Sequence, residues 1–199
     1  MSYGRVVVLV VVCCFTAAAA GYAYGQATSG PPDSDVDSGF LADMTNHHEQ
    51  GVQMAAIAVA NAEDPTVVGF AKEVLITQQR QIGLMERMLA DRGVSPPPGF
   101  DRDAMEWMAS MPSTPVAEMP GMATEEQIDQ LQSATGSEAD LLFLELMREH
   151  HRGGLHMAEE AAERAADPEV RELAAAIAKT QTSEVAEYDQ TIARLEGGG

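Results

Sequence analysis

The chain has 199 residues, with 12 Lys+Arg against 31 Asp+Glu and a formal charge of −19. That length suits one domain plus appendages, and the acidity argues against nucleic acid as a partner while its field concentrates cations. No Gly-rich phosphate loop, Ser/His/Asp arrangement or basic aromatic patch is written in it, so it offers no nucleophile set and reads as a binding protein, not an enzyme.

Residues 1–25 have the pattern of an export signal. Arg5 is the only charge, Val6 to Ala20 are mostly apolar, and Ala23-Tyr24-Gly25 offers a small-residue cleavage site before Gln26. This predicts a periplasmic, cell-surface or secreted protein. The apolar run continues through Tyr24, which leaves an uncleaved membrane anchor as the alternative. Valine before Cys13 argues against lipid attachment there. Removing the leader removes Arg5 and both cysteines, leaving 11 Lys+Arg against 31 Asp+Glu, a formal charge of −20, and no thiol.

Residues 26–37, rich in Gly, Pro, Ser and Asp, read as a flexible tether. A bundle is expected over 38–196, made of hairpins at 38–92 and 137–195 joined by a crossover at 93–136. The helical period starts at Phe40 and runs through Met44, His47/His48, Gly51, Met54/Ala55 and Ala58. Asp64-Pro65 ends this helix and opens the next, with Asp64 as N-cap and Pro65 at the first helical position. The second helix carries Val67, Ala71, Val74, Ile82, Met85 and Leu89 toward a core and stops near Gly93.

The crossover holds six of the ten prolines and five methionines, Met105, Met108, Met111, Met119 and Met122, with Trp107 among them. Thr124 to Gln127 has the form of a capping box for a short helix over 125–133. Ser137 is the expected cap of the third long helix, which runs to about residue 165. Asp167-Pro168 repeats the helix junction, and the last helix ends near residue 195.

The two hairpins are copies at a constant offset of 103 residues. Phe40 matches Phe143, Met44 matches Met147, His47-His48 match His150-His151, and Gly51 matches Gly154. Met54 matches Met157, Asp64-Pro65 match Asp167-Pro168, and Gln78 matches Gln181. All five histidines of the chain lie in the two motif windows, His156 being the fifth. The duplication predicts an all-α, ferritin-like four-helix bundle built from two helical hairpins with a long crossover. Glycine one turn beyond each first histidine lets a neighbouring helix or a ligand come close.

Residues three and four apart share a helix face. Met44 therefore neighbours His47 and His48, and Met147 neighbours His150 and His151, with Met54 and Met157 further along each strip. Adjacent residues lie about 100° apart on a helix, so only one imidazole of each pair is expected to point straight at the core. The other orients it or binds metal near the surface. Thioether and imidazole without thiolate suit copper, Cu(I) above all, and silver for the same reason. The candidate metal ligands are Met44, His47, His48, Met54, Met147, His150, His151, His156 and Met157. Met105, Met108, Met111, Met119 and Met122 form a candidate second soft-metal site, since Pro-rich sequence is not expected to build a core. The alternative is that this arm packs down over the bundle.

Other metals fit less well. A di-iron bundle needs Glu-x-x-His, and Met44 and Met147 stand where that glutamate would be. His48-Glu49-Gln50-Gly51-Val52 fails the His-Glu-x-x-His zinc pattern at its last position. Met85 and Met88 read as core filler, because the matching positions hold Tyr188 and Thr191. Glu49, Glu149, Glu159 and Glu160 read as solvated helix faces.

The pattern Phe-x-x-x-Met-x-x-His-His-x-x-Gly-x-x-Met, followed by Asp-Pro and a Gln-containing helix, resembles the exported, ferritin-like domain of unknown function family 305, which includes CopM-like copper-binding proteins. The resemblance covers roughly residues 36–196 and implies copper handling by Met44, His47, His48, Met54, Met147, His150, His151 and Met157. The function expected is sequestration of copper (Cu(I), Cu(II) or silver), or its transfer to a transporter or sensor, outside the cytoplasm. The competing expectation is a metal-free helical interaction module with an acidic surface. Glu49 and Gln50 stand where the second copy has Arg152 and Gly153, so the two halves are not expected to be equivalent.

Overall fold

The four long helices start where a side chain or a glycine can cap them. In the computed structural model, which describes residues 31–94 and 99–197, Ser34 accepts from the Asp37 N–H and opens α1, Asp35–Asn61. Asp64 accepts from Thr66 and Val67 and opens α2, Pro65–Asp91. The reciprocal Thr124/Gln127 capping box opens the short α3, Glu125–Ser133. Gly136, at φ +63°, precedes α4, Ser137–Arg164, and Pro168 begins α5, Pro168–Gly197. The fold is all-α.

Three boundaries differ from expectation. The tether ends earlier, because Ser34 and the acidic first turn of Asp35 and Asp37 favour a helix start there. Gly136, not Ser137, is the cap of α4. The crossover holds more than its one expected short helix: Asp103–Ala104 (β1) pairs antiparallel with Thr114–Pro115 (β2), and a 3-10 turn follows over Val116–Glu118. The leader and the Pro96-Pro97-Pro98 run lie outside the described residues. Among the described residues no helix is long and apolar enough to cross a membrane.

α1 packs along α2 and α4 along α5, while α1 and α4 form the main contact between the hairpins. α1 and α4 run antiparallel. The Asp37 carboxylate accepts from the Ala166 and Asp167 N–H groups at the end of α4, and Asp140 accepts from Glu63 and Asp64 at the end of α1. These clamps are the same bond 103 residues apart, each hairpin tying off the other's junction.

The apolar core divides into two clusters. One gathers Phe40, Met44, Met85, Met88, Leu89, Met157 and Ile177 with the crossover's Met105, Trp107, Met108 and Met119. The other gathers Met54, Val74, Leu131, Phe143, Met147, Tyr188 and Ile192. The expectation that the Pro-rich crossover would not build core is therefore corrected. Met105, Met108 and Met119 are buried, while Met111 and Met122 are partly buried against the same cluster. The physical reason is room on α1: a Cβ at Gly39 would lie 2.3 Å from the Trp107 ring. Asp43 then holds the segment, accepting from the Trp107 indole N–H and the Met105 N–H, both at 2.8 Å, and pairing with Arg102.

Candidate metal centre

His47, His48, His150 and His151 are all fully buried. Of the two places expected for the second imidazole of each pair, the one near the surface is not the one found: α1 and α4 are each covered on two faces. His47 and His150 face each other across the hairpin interface, their rings stacked with centroids 3.8 Å apart. His48 turns to its own hairpin and meets Gln81 of α2, Nε2 to Oε1 at 2.7 Å. His151 turns to α5 and meets Glu184, Nε2 to Oε2 at 2.7 Å. Gln81 and Glu184 are the same position in the two copies.

The two glycines make this arrangement sterically accessible. A Cβ on Gly51 would lie 2.2 Å from Gln78 Oε1 and 2.9 Å from His150 Cε1. A Cβ on Gly154 would lie 2.8 Å from Gln181 Oε1 and 3.1 Å from His47 Cε1. Each hairpin thus leaves a gap that receives the other hairpin's histidine and its own glutamine.

All four imidazoles use Nε2 and leave Nδ1 idle. His47 Nε2 lies 3.2 Å from the Pro120 carbonyl and His150 Nε2 lies 2.8 Å from the His47 carbonyl. Carbonyl and carboxylate oxygens only accept, so the proton sits on Nε2 in His47, His150 and His151; the Gln81 Oε1 contact places it there in His48 too. In a neutral ring the Nδ1 then carries a bare lone pair, and all four Nδ1 atoms are buried without a hydrogen-bond partner. An Nε2–H held by an oxygen with Nδ1 free is the arrangement of a metal-binding imidazole and its outer partner.

Burial lowers the proton affinity of three of the rings, His47, His48 and His150. It pushes His47 down to about 3, helped by the charge of neighbouring His48 and His151 against the pull of the Pro120 carbonyl. Burial pushes His48 down to about 4 against the Gln81 contact. His150 is held well below the ordinary imidazole range by burial and by His47, His151 and His48. The four rings sense one another as one cluster, and neutral imidazole is the form that binds metal.

Thioethers stand on both sides of this layer. Met44 and Met157 share one core cluster, Met54 and Met147 the other, and all four are fully buried. Among the described residues no three His, Cys, Asp or Glu side chains are placed to hold a metal ion together. Thioether and neutral imidazole together are a donor set that suits a soft ion.

Some candidates sit elsewhere. His156 is exposed and lies 3.3 Å from Ser110 Oγ, outside the buried layer. Glu160 is not a solvated face residue: it accepts from the Ala109 N–H, Ser110 and Arg164, clasping the crossover to α4. Glu49, Glu149 and Glu159 are exposed.

Further residues line the same layer. Gln78 and Gln181 lie over the glycines, and each Oε1 is buried and unpaired. Their match across the repeat was the available signal. Gln50 clamps the Ala123 backbone through both amide atoms, at 2.6 and 2.9 Å. Its counterpart Gly153 admits the crossover, since a Cβ there would lie 1.9 Å from the Pro120 oxygen. The departures from the repeat at 50 and 153 are thus the two sides of one seat, and that seat delivers the Pro120 carbonyl to His47.

Comparison with known proteins agrees with this architecture. No curated protein matches the sequence significantly. A DUF305 protein from Streptomyces coelicolor, named as secreted, is 34% identical with a TM-score of 0.71, over 81% of this chain and 94% of that one. A DUF305 fragment from Deinococcus radiodurans is 30% identical with a TM-score of 0.69, over 82% and 99%. CopM in its Cu(I)-bound form is 25% identical with a TM-score of 0.61, over 77% and 93%, and its co-crystallised silver-bound form is 25% identical with a TM-score of 0.60, over the same shares. The model of the domain of unknown function DUF305 matches residues 37–192, and the chain belongs to that family.

Proposed function

We propose that this protein is an exported copper binder that holds Cu(I), and silver in its place, on the Nδ1 atoms of the histidine layer and the adjoining thioethers. It sequesters the ion or passes it on to a transporter or sensor, and it catalyses no reaction on it. One observation carries the reading: four buried Nδ1 lone pairs have no partner. An unpaired buried acceptor costs about 1–3 kcal/mol. A layer kept only for packing would carry that cost for nothing, whereas bound soft cations remove it.

The donor chemistry selects the ion. Methionine and neutral imidazole bring no charge and release no proton on binding, which suits a monovalent soft ion. The fold is similar to that of CopM, whose Cu(I)- and silver-bound forms are known. The likeness to a protein named as secreted supports export.

The test is an anaerobic Cu(I) titration against a competing chromogenic chelator. It is run on the protein and on a variant with His47, His48, His150 and His151 changed to alanine. The reading expects tight uptake lost in the variant, with helical circular dichroism retained. Equal uptake by both proteins would move copper off the layer, and uptake by neither would end the copper reading.

A further inference from the structure

The duplication is chemically uneven at one point. His48 and His151 occupy the same place in the two copies and present Nε2 to the same place on the paired helix, at 2.7 Å in both cases. Beneath His48 that place holds the neutral amide of Gln81; beneath His151 it holds the carboxylate of Glu184. One turn further along, Tyr188 lies edge-on to His151 with centroids 5.4 Å apart, and the matching position in the first copy is Met85. The Glu184 side chain is 12% exposed and faces a fully buried ring, so its charge acts through protein more than through water.

We infer that Glu184 makes the two ends of the layer unequal, so that the His151 end takes the first copper and the His48 end the second. This rests on the copper reading above. A carboxylate accepting the Nε2–H of a ligand imidazole raises the basicity of the other ring nitrogen and fixes the ring's orientation. It also places a negative charge one imidazole away from the cation. Gln81 fixes the orientation equally well but supplies no charge. The difference between the ends is therefore electrostatic, and it acts more strongly on a divalent than on a monovalent ion. Glu184 is a positioning residue: it reaches the metal through His151.

Changing Glu184 to Gln recreates at His151 the pair that already exists at His48, so the fold accommodates it. Four proteins are compared: the unaltered protein, E184Q, Q81E and the exchange Q81E/E184Q. Each is titrated with Cu(I) and separately with Cu(II) against competing chelators. Paramagnetic broadening of histidine side-chain resonances by the first Cu(II) shows which end fills.

E184Q is expected to weaken the first step by about 10–100-fold, the range for lost outer partners, and to weaken Cu(II) more than Cu(I). Q81E strengthens the second step, and the exchange moves the first broadening from His151 to His48. An unchanged first step in E184Q overturns the inference. So does an equal loss for Cu(I) and Cu(II), which a merely structural role would give, or first broadening at His48 in the unaltered protein. Failure of the copper reading itself is distinct: the fourfold histidine-to-alanine variant would then bind as the unaltered protein does, or neither would bind.

Discussion

Replacing Gly153 with alanine tests whether the crossover is truly seated on α4. In a helix, Gly→Ala is ordinarily stabilising, by about 0.5–1 kcal/mol. At Gly153 the new Cβ would lie 1.9 Å from the Pro120 oxygen, 2.3 Å from its carbonyl carbon and 2.7 Å from the Gly121 nitrogen. These are backbone atoms, so no rotamer change relieves the clash. Reaching ordinary contact near 3.4 Å requires the segment to lift by about 1.5 Å, against Gln50's two bonds to Ala123. Overpacking of this kind costs about 1–3 kcal/mol. Detaching Pro120 from His47 adds about 0.5–1.5 kcal/mol for the lost bond. After subtracting the helix gain, G153A should lose roughly 0.5–4 kcal/mol net. For a chain of this size that lowers Tm by about 1–16 °C. Gly83 of α2 is the control: nothing lies within 4 Å of its Cβ position, so G83A should gain about 0.5–1 kcal/mol. Thermal and urea unfolding followed by circular dichroism read both. A G153A protein as stable as G83A would show that the crossover does not rest on α4.

Other perturbations probe the layer and the clamps. The lowered folded-state pKa values of His47, His48 and His150 mean that the unfolded chain binds protons below pH 6.5 that the fold refuses. Stability is full above that pH and falls as pH drops toward the folded values of about 3 and 4 for His47 and His48. The slope approaches about 1.4 kcal/mol per pH unit for each ring; urea midpoints that stay flat from pH 7 to 5 would contradict it. D37A and D140A each orphan two junction N–H groups and should each cost about 2–4 kcal/mol in urea unfolding. A loss under about 0.5 kcal/mol would refute the clamp. G51A presses on Gln78 and His150 more closely than G154A presses on Gln181 and His47. It should therefore lose more stability and more Cu(I) affinity, and the reverse order would contradict the stated geometry.

The bundle was legible because the duplication is gapless: an offset that keeps Phe40, Met44, Gly51 and Asp64-Pro65 in step with their partners implies two identical hairpins. The histidine pairs stood out for the same reason. What sequence reading missed is whatever occurs once. Pro120, Trp107 and Asp43 belong to the crossover or its seat and have no copy to mark them. Their roles come from tertiary contact, not local pattern. The burial of Met105, Met108 and Met119 was hidden by proline-rich composition, which argues against regular structure but not against packing. The place of the second imidazole of each pair stayed open because helix geometry alone gives one inward face; α1 and α4 each have two, one toward the other hairpin and one toward their own partner helix. The asymmetry of Gln50 and Gly153 was visible as a difference, and only the seated crossover gave it meaning.

The central claim is that Nδ1 of the four buried histidines is the metal-facing atom. It is tested most directly by long-range proton–nitrogen NMR of the histidine rings in uniformly 15N-labelled protein as Ag(I) or Cu(I) is added. The account predicts that free protein shows four Nε2–H tautomers. Metal then shifts the Nδ1 resonances of His47, His48, His150 and His151 while their Nε2–H signals persist and His156 stays unmoved. Metal-induced loss of the Nε2–H signals, or no shift in any of the four Nδ1 resonances, would contradict it.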